Sequence, residues 1–253
     1  MKLAVLSDIH GNVLALEAVV ADARAQGVTR FANLGDTLYG PLWPRETYEL
    51  LRRLDVAVTV RGNQDRDVFE DPPTGPVDPA TRRFVRDAIG PDAIDWLSAF
   101  PATAAWGDAL VVHGTPDSDT TYLLEDVAAG GASLRAGEAI DGLLKGVAEP
   151  LVLCGHSHVA RCVRTPAGRI VVNPGSVGLP AYDDAAPLPH AMQAGSPHAA
   201  YALVEGAASS PGGLTVRHVR VLYDHDRAAT RAKENGRDDW AAWLATGRAV
   251  VPP

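Results

Sequence analysis

The chain has 253 residues, 46% of them apolar and 21% charged, the balance of a globular protein with a real core. A formal charge of −8 argues against general nucleic-acid binding, which needs a basic face, but leaves room for a nucleotide held through metal ions. Two cysteines exclude a disulfide framework, and the apolar start gives way to Asp8 and His10 too soon for a signal peptide or a membrane span, so a cytoplasmic protein is expected.

Residues 3–6 predict a central strand. Residues 13–25 predict a helix, with Leu14, Ala18, Val19 and Ala21 on its apolar face and Gly27 as its stop. The next strand spans 30–34 and runs into Gly35-Asp36. Pro44 suits the first turn of a helix that continues over 46–54, and 56–60 is a third strand ending at Gly62-Asn63. This alternation means parallel strands joined by right-handed crossovers.

Helices are expected over 78–89 and 92–100, divided by Gly90-Pro91, followed by a strand over 109–112 that runs into His113. After a helix within 138–145 the pattern turns to strands at 151–154, 159–164, 169–172, 201–205 and 214–222. Together they predict a second sheet stacked on the first. Residues 183–197, rich in Ala and Pro, predict a mobile loop. His190 and His198, in or beside it, read as surface residues, with a lid over the site as the lesser alternative. Trp240 and Trp243 fall on a C-terminal amphipathic helix, about 236–247, that packs on a body of about 1–225. With no repeat and no linker, 1–253 reads as a single domain.

Five short islands carry the chemistry: Ser7-Asp8-Ile9-His10-Gly11-Asn12, Gly35-Asp36, Gly62-Asn63-Gln64-Asp65, His113-Gly114 and Gly155-His156-Ser157-His158. Each follows a predicted strand and sets Asp, Asn or His beside glycine. In parallel α/β sheets ligand sites lie at the carboxyl ends of strands, where these islands fall. Asp8, His10, Asp36, Asn63, His113, His156 and His158 supply seven oxygen and nitrogen ligands, enough for two ions sharing one carboxylate. Carboxylate and imidazole without thiolate suit manganese, with iron, zinc, cobalt or nickel as alternatives, rather than calcium or a structural zinc site. Two such ions lower the pKa of a shared water and clamp phosphoryl oxygens for in-line displacement.

With Gly35-Asp36-Thr37-Leu38-Tyr39-Gly40-Pro41 and Asn173-Pro174-Gly175-Ser176, this ordered set resembles the calcineurin-like metallophosphoesterase superfamily, in particular its small bacterial and archaeal phosphodiesterase branch. The resemblance covers roughly residues 1–205. It implies a four-layer α/β/β/α sandwich of two mixed β-sheets flanked by helices. By position it implies one ion held by Asp8, His10, Asp36 and His158, and a second held by the bridging Asp36 with Asn63, His113 and His156. The expected activity is hydrolysis of a phosphodiester, including nucleotide-type esters, or of an activated phosphomonoester by a metal-bridging hydroxide. A protein serine/threonine phosphatase and a non-catalytic scaffold of the same fold are the alternatives. A small phosphate ester or nucleotide is the expected partner.

Many relatives carry histidine where this chain has Gln64. Glutamine donates a hydrogen bond but gives up no proton at neutral pH, so help to a poor leaving group is missing from this position. Asn63 is expected to ligate and to steer a phosphate oxygen, and Asp65 to orient a ligand imidazole, with turn-capping as its competing role. Arg66 and Tyr39 flank the islands as possible phosphate contacts, though ion-pairing and packing serve equally.

Overall fold

The computed structural model describes residues 2–128, 131–209 and 213–251. Strands β1 (Lys2–Leu6), β2 (Arg30–Asn33) and β3 (Asp55–Thr59) alternate with helices α1 (Val13–Ala25) and α2 (Pro44–Leu51), and α3 (Asn63–Phe69) follows β3 directly. Next come α4 (Pro79–Ser98), β4 (Thr103–Trp106), β5 (Ala109–Val112), β6 (Glu125–Ala128), β7 (Gly131–Leu134) and α5 (Gly137–Leu143). Strands β8 (Leu151–Leu153), β9 (Arg161–Arg164), β10 (Ile170–Asn173), β11 (Ala181–Asp184) and β12 (His190–Gln193) lead to β13 (Ala199–Gly206) and β14 (Leu214–Val221). Helices α6 (His225–Glu234) and α7 (Asp238–Thr246) complete the described chain.

One sheet has the order β14-β13-β1-β2-β3 and the other β4-β5-β8-β10-β9. Strand alternation explains the layering. Leu3 and Val5 of β1 join Leu151 and Leu153 of β8 in the core between the sheets, while Ala4 and Leu6 face Leu16 and Val19 of α1 on the outside. On the far side Val152 and Val171 meet Ile140 and Leu144 of the α5 region. The result is the expected four-layer sandwich of two mixed sheets flanked by helices. In α4 the helical path breaks at Gly90, with φ 72° and ψ 177°, so the expected division at Gly90-Pro91 is present.

Three expectations need correction. Residues 201–205 and 214–222, expected in the second sheet, belong to the first, where β13 pairs antiparallel with β1 and carries β14 at the edge. Strand spacing alone does not say which sheet a late strand joins. Residues 183–197 are not simply a loop, because β11 and β12 form a hairpin across them. His190 is therefore fully buried, neither a surface residue nor a lid. The C-terminal helix is also preceded by a second one, α6, whose alanine-lined face packs Ala228 and Ala232 into the cluster holding Trp240.

Candidate metal centre

Parallel pairing aligns β1, β2 and β3 in one sheet and β5 and β8 in the other. Each of these five strands delivers one island at its carboxyl end, so both sheets contribute to a single site. Backbone bonds hold the islands together: Asp8 N–H donates to Gly35 O (2.9 Å), His10 N–H to Asp36 O (2.9 Å), and Gly155 N–H to His113 O (2.7 Å). The approach is close enough that a Cβ on Gly62 would strike Asp36 Oδ1, and one on Gly155 would strike Ser7 Oγ.

Among the described residues, the non-glycine positions with positive φ are Asp8 (55°), His10 (52°), Asp36 (52°), His156 (69°) and His158 (59°). All five are expected ligands. Left-handed backbone disfavours a side chain by about 1–3 kcal/mol per residue and persists where surrounding structure enforces it, typically at functional sites.

The ring tautomers follow from the carbonyls around them. Nδ1 of His10 lies 3.0 Å from Tyr39 O, Nδ1 of His113 lies 2.7 Å from Leu34 O, and Nδ1 of His158 lies 2.6 Å from Leu179 O. A carbonyl only accepts, so each Nδ1 carries a proton and each Nε2 is turned into the site. His156 is reversed, with Nε2 donating to Thr120 O at 3.1 Å and Nδ1 left free. Tyr122 stacks on this ring with centroids 4.6 Å apart, and Tyr182 Oη lies 3.0 Å from His156 O.

Two groups of ligand atoms emerge, Asp8 with His10 and His158, and Asp36 with His113 and His156. In the first, Nε2 of His10 and Nε2 of His158 stand 3.2 Å apart, and Asp8 Oδ1 lies 3.3 Å from His158 Nε2, buried with no hydrogen-bond partner. In the second, His113 Nε2 is 3.5 Å from Asp36 Oδ2 and 3.2 Å from Asn63 Oδ1. Imidazole nitrogens converging around a buried, unpartnered carboxylate oxygen fit a divalent transition ion, and the nitrogen–oxygen donor set is the one such ions take.

The electrostatics agree. Burial drives His10 and His156 down to about 4, reinforced by the neighbouring His158 and His113 respectively, so both are neutral donors. Burial opposes charge on His113 too, but the carboxylates of Asp36 and Asp8 overcome it and push that ring up to about 10. Burial likewise works against an ionised Asp36, yet His113 holds it well below the usual carboxylate range.

Asp65 does not orient a ligand imidazole. Its carboxylate accepts Thr37 N–H (2.8 Å), Thr37 Oγ1 (3.2 Å) and Gly62 N–H (3.1 Å), so it reaches back from the first turn of α3 to the N-cap backbone. Burial and the charge of Asp36 raise it to about 6. Carbonyl oxygens take the role expected of Asp65, and backbone carbonyls leave no mark in a sequence. Gln64 N–H donates to Asp36 Oδ1 at 2.9 Å, while Gln64 Oε1 is buried without a partner. Arg66 is held by Asp119 at 2.8 Å, and Tyr39 packs near Trp240 with centroids 6.4 Å apart. Trp240, expected only to pack, also sets its ring edge against His10 at 5.5 Å.

A model of the calcineurin-like phosphoesterase superfamily domain matches residues 1–191. The chain belongs to that superfamily. The superfamily is one of phosphoesterases, which supports a hydrolase of phosphoester bonds. A metallophosphoesterase from Sphaerobacter thermophilus is 26% identical and superposes with a TM-score of 0.74 over 98% of this chain and 99% of its own. A hypothetical protein from Pyrococcus horikoshii OT3, 20% identical, shares the fold with a TM-score of 0.75 over 98% and 99% of the two chains. An uncharacterized protein of Methanocaldococcus jannaschii is 23% identical over 94% of each chain. Among the described residues, no helix is long and apolar enough to cross a membrane.

Proposed function

We propose that this phosphoesterase is a dinuclear enzyme that hydrolyses phosphodiesters, or phosphomonoesters with good leaving groups. The observation that carries it is the pair of Nε2 atoms of His10 and His158, set 3.2 Å apart beside Asp8 Oδ1, which is buried without a hydrogen-bond partner. Asp8, His10 and His158 would hold one ion, and His113, His156 and Asn63 the other, with Asp36 shared. Two ions there would supply an acidified water and a clamp for phosphoryl oxygens.

The chain's own residues do the rest. Carbonyls of Leu34, Tyr39, Leu179 and Thr120 fix the four rings before any ligand arrives. Asn63, at the first turn of α3, faces His113 and can steer a phosphate oxygen. Gln64 lies beside it and can donate a hydrogen bond to an ester oxygen without giving up a proton, which favours leaving groups that need none. The scaffold alternative predicts gaps among the ligands, whereas all seven residues converge.

Metal content of the purified protein, paired with Mn²⁺-dependent hydrolysis of bis(p-nitrophenyl) phosphate, tests the reading. Bound transition metal at about two ions per chain with metal-dependent turnover is expected. A protein without such metal, inert when Mn²⁺ is added, overturns it.

A further inference from the structure

Two cavities flank the metal centre. One, of about 410 Å³, opens onto His10, Asp36 and His158, and the other, of about 610 Å³, onto Arg66, Thr121 and His156. They meet at Asn63, Gln64, Pro76, His156 and Asp184, so two of the expected ligands belong to both. A phosphorus atom seated on the ligands would lie at this junction. A monoester has one organic group and would fill one cavity only.

The two chambers differ in chemistry. The smaller is walled by Tyr39, Leu179, Tyr182, Trp240 and Trp243, with the carboxylates of Asp78, Asp183 and Asp239 at its rim. Its arginine, Arg237, is engaged by both oxygens of Asp239, at 2.9 and 2.6 Å, and lies over the Trp240 ring at 5.5 Å. Such a chamber takes an uncharged, flat or apolar group and repels a second phosphate. The larger is lined by Thr74, Thr120, Thr121 and Val127 together with Arg66 and Arg135, which are held by Asp119 and Asp126. Arg66 is fully engaged by Asp119, Asp67 and Glu70, while Arg135 keeps a buried Nε without a partner, and that group with the threonine hydroxyls suits a hydroxyl-bearing group such as a sugar.

Building on the phosphodiesterase reading above, we propose that the two cavities are the two ester subsites of one substrate. It is a phosphodiester with a single phosphate, joining a flat or apolar alcohol in the chamber of Trp240 and Trp243 to a hydroxylated group in the chamber of Thr121 and Val127. Residues 237–243, which form much of the first wall, lie beyond residues 1–191 matched by the family domain. This part of the subsite is thus built on this chain's own C-terminal helix α7 and its N-cap Arg237.

Thymidine 5′-(p-nitrophenyl phosphate) and methyl p-nitrophenyl phosphate share a leaving group and differ only in what the larger chamber would hold. With the Mn²⁺-loaded enzyme, kcat/KM should favour the thymidine ester by about 10-fold or more, the return on about 1.4 kcal/mol of binding outside the reacting bonds. Val127→Trp and, independently, Thr121→Trp should cut that ratio several-fold by filling the chamber. Asp183→Trp, at the rim of the smaller chamber, should raise KM for both aryl esters. Equal kcat/KM for the two esters in the unmodified enzyme overturns the proposal, as does a ratio that survives in both chamber-filling variants whose metal content is intact. No metal-dependent turnover of any ester, bis(p-nitrophenyl) phosphate included, overturns the phosphodiesterase reading and the two-subsite proposal together.

Discussion

His10 and His158 meet nitrogen to nitrogen at 3.2 Å, each with its Nδ1 turned away to a backbone carbonyl. Two imidazole nitrogens beside a buried carboxylate oxygen, 3.3 Å from the second ring, form a seat for a cation. A bound ion should therefore stabilise the fold as well as the chemistry. At a free metal concentration 100 times Kd the gain is about 2.7 kcal/mol, or roughly 5–10 °C in Tm for a chain of this size. Scanning calorimetry before and after chelation should find that gap and its recovery on adding Mn²⁺. An unchanged Tm would show that the nitrogens are not held for an ion.

Asp36→Ala should abolish turnover and lower bound metal below one ion per chain if this carboxylate is shared. Asp8 makes the comparison sharp, because its Oδ1 lies 3.3 Å from His158 and 4.0 Å from His113 and so also reaches toward both groups. Metal counts on Asp36→Ala and Asp8→Ala decide which one bridges. Loss of both ions from Asp8→Ala, with one retained in Asp36→Ala, would transfer the role to Asp8.

Gln64→His should restore a proton donor beside the ester. Turnover of a poorly leaving alkyl ester should rise by about 10²-fold, the low end of general-acid assistance, with much less change for a p-nitrophenyl ester. A plot of log kcat against leaving-group pKa should accordingly flatten. A slope identical to that of the unmodified enzyme would remove Gln64 from the explanation.

The metal-free site carries a definite pH signature. Asp36 and Asp8, against the opposing effect of burial, push His113 up to about 10, above the ordinary histidine value of 6.5. A raised folded-state pKa stabilises the apoprotein fully below about 6.5 and loses that contribution as pH rises toward 10. A metal ion taken up in this window must displace the proton. Calorimetric titration with Mn²⁺ in buffers of different ionisation enthalpy should register about one proton released per chain near pH 8. Buffer-independent heats would contradict it.

Asp65→Asn should test capping against catalysis. The carboxylate serves Gly62 and Thr37, so its replacement should lower stability by about 1–3 kcal/mol through poorly satisfied buried donors. Metal content and the leaving-group dependence of kcat should stay near those of the parent. A large fall in kcat without loss of stability would return Asp65 to the chemistry.

Much of this site was legible because its ligands sit at strand ends, where an apolar run stops and a polar, glycine-flanked pair begins. Helix α1 falls on residues 13–25 and β5 on 109–112 as expected, but the helix buries Val13, Ala15, Leu16, Val19, Val20 and Ala23, so of the expected face only Val19 is buried and Ala21 is exposed. What stayed hidden depends on pairing over long distances. Residues 199–206 carry the same β-strand pattern whichever sheet they join, and only the partner at β1 decides. The same holds for His190, whose Ala/Pro-rich surroundings suggest a loop until the pairing of β12 with β11 and the contact of its ring with Tyr122, 3.0 Å away, bury it. The contact of Trp240 with His10 spans 230 residues and has no local sign.

The five left-handed ligands carry a lesson for anyone transplanting this centre. Copying side chains onto a scaffold with ordinary strand ends would aim the same carboxylates and imidazoles in other directions. A redesign guided by local backbone preference would replace Asp8, His10, Asp36, His156 and His158 with glycine or asparagine, the residues such dihedrals favour. What must travel with the ligands is the mesh of peptide groups that holds each turn in its unfavourable shape. The portable unit of this chemistry is therefore a folded edge spanning two sheets, and no shorter peptide from it should be expected to bind metal in the same way.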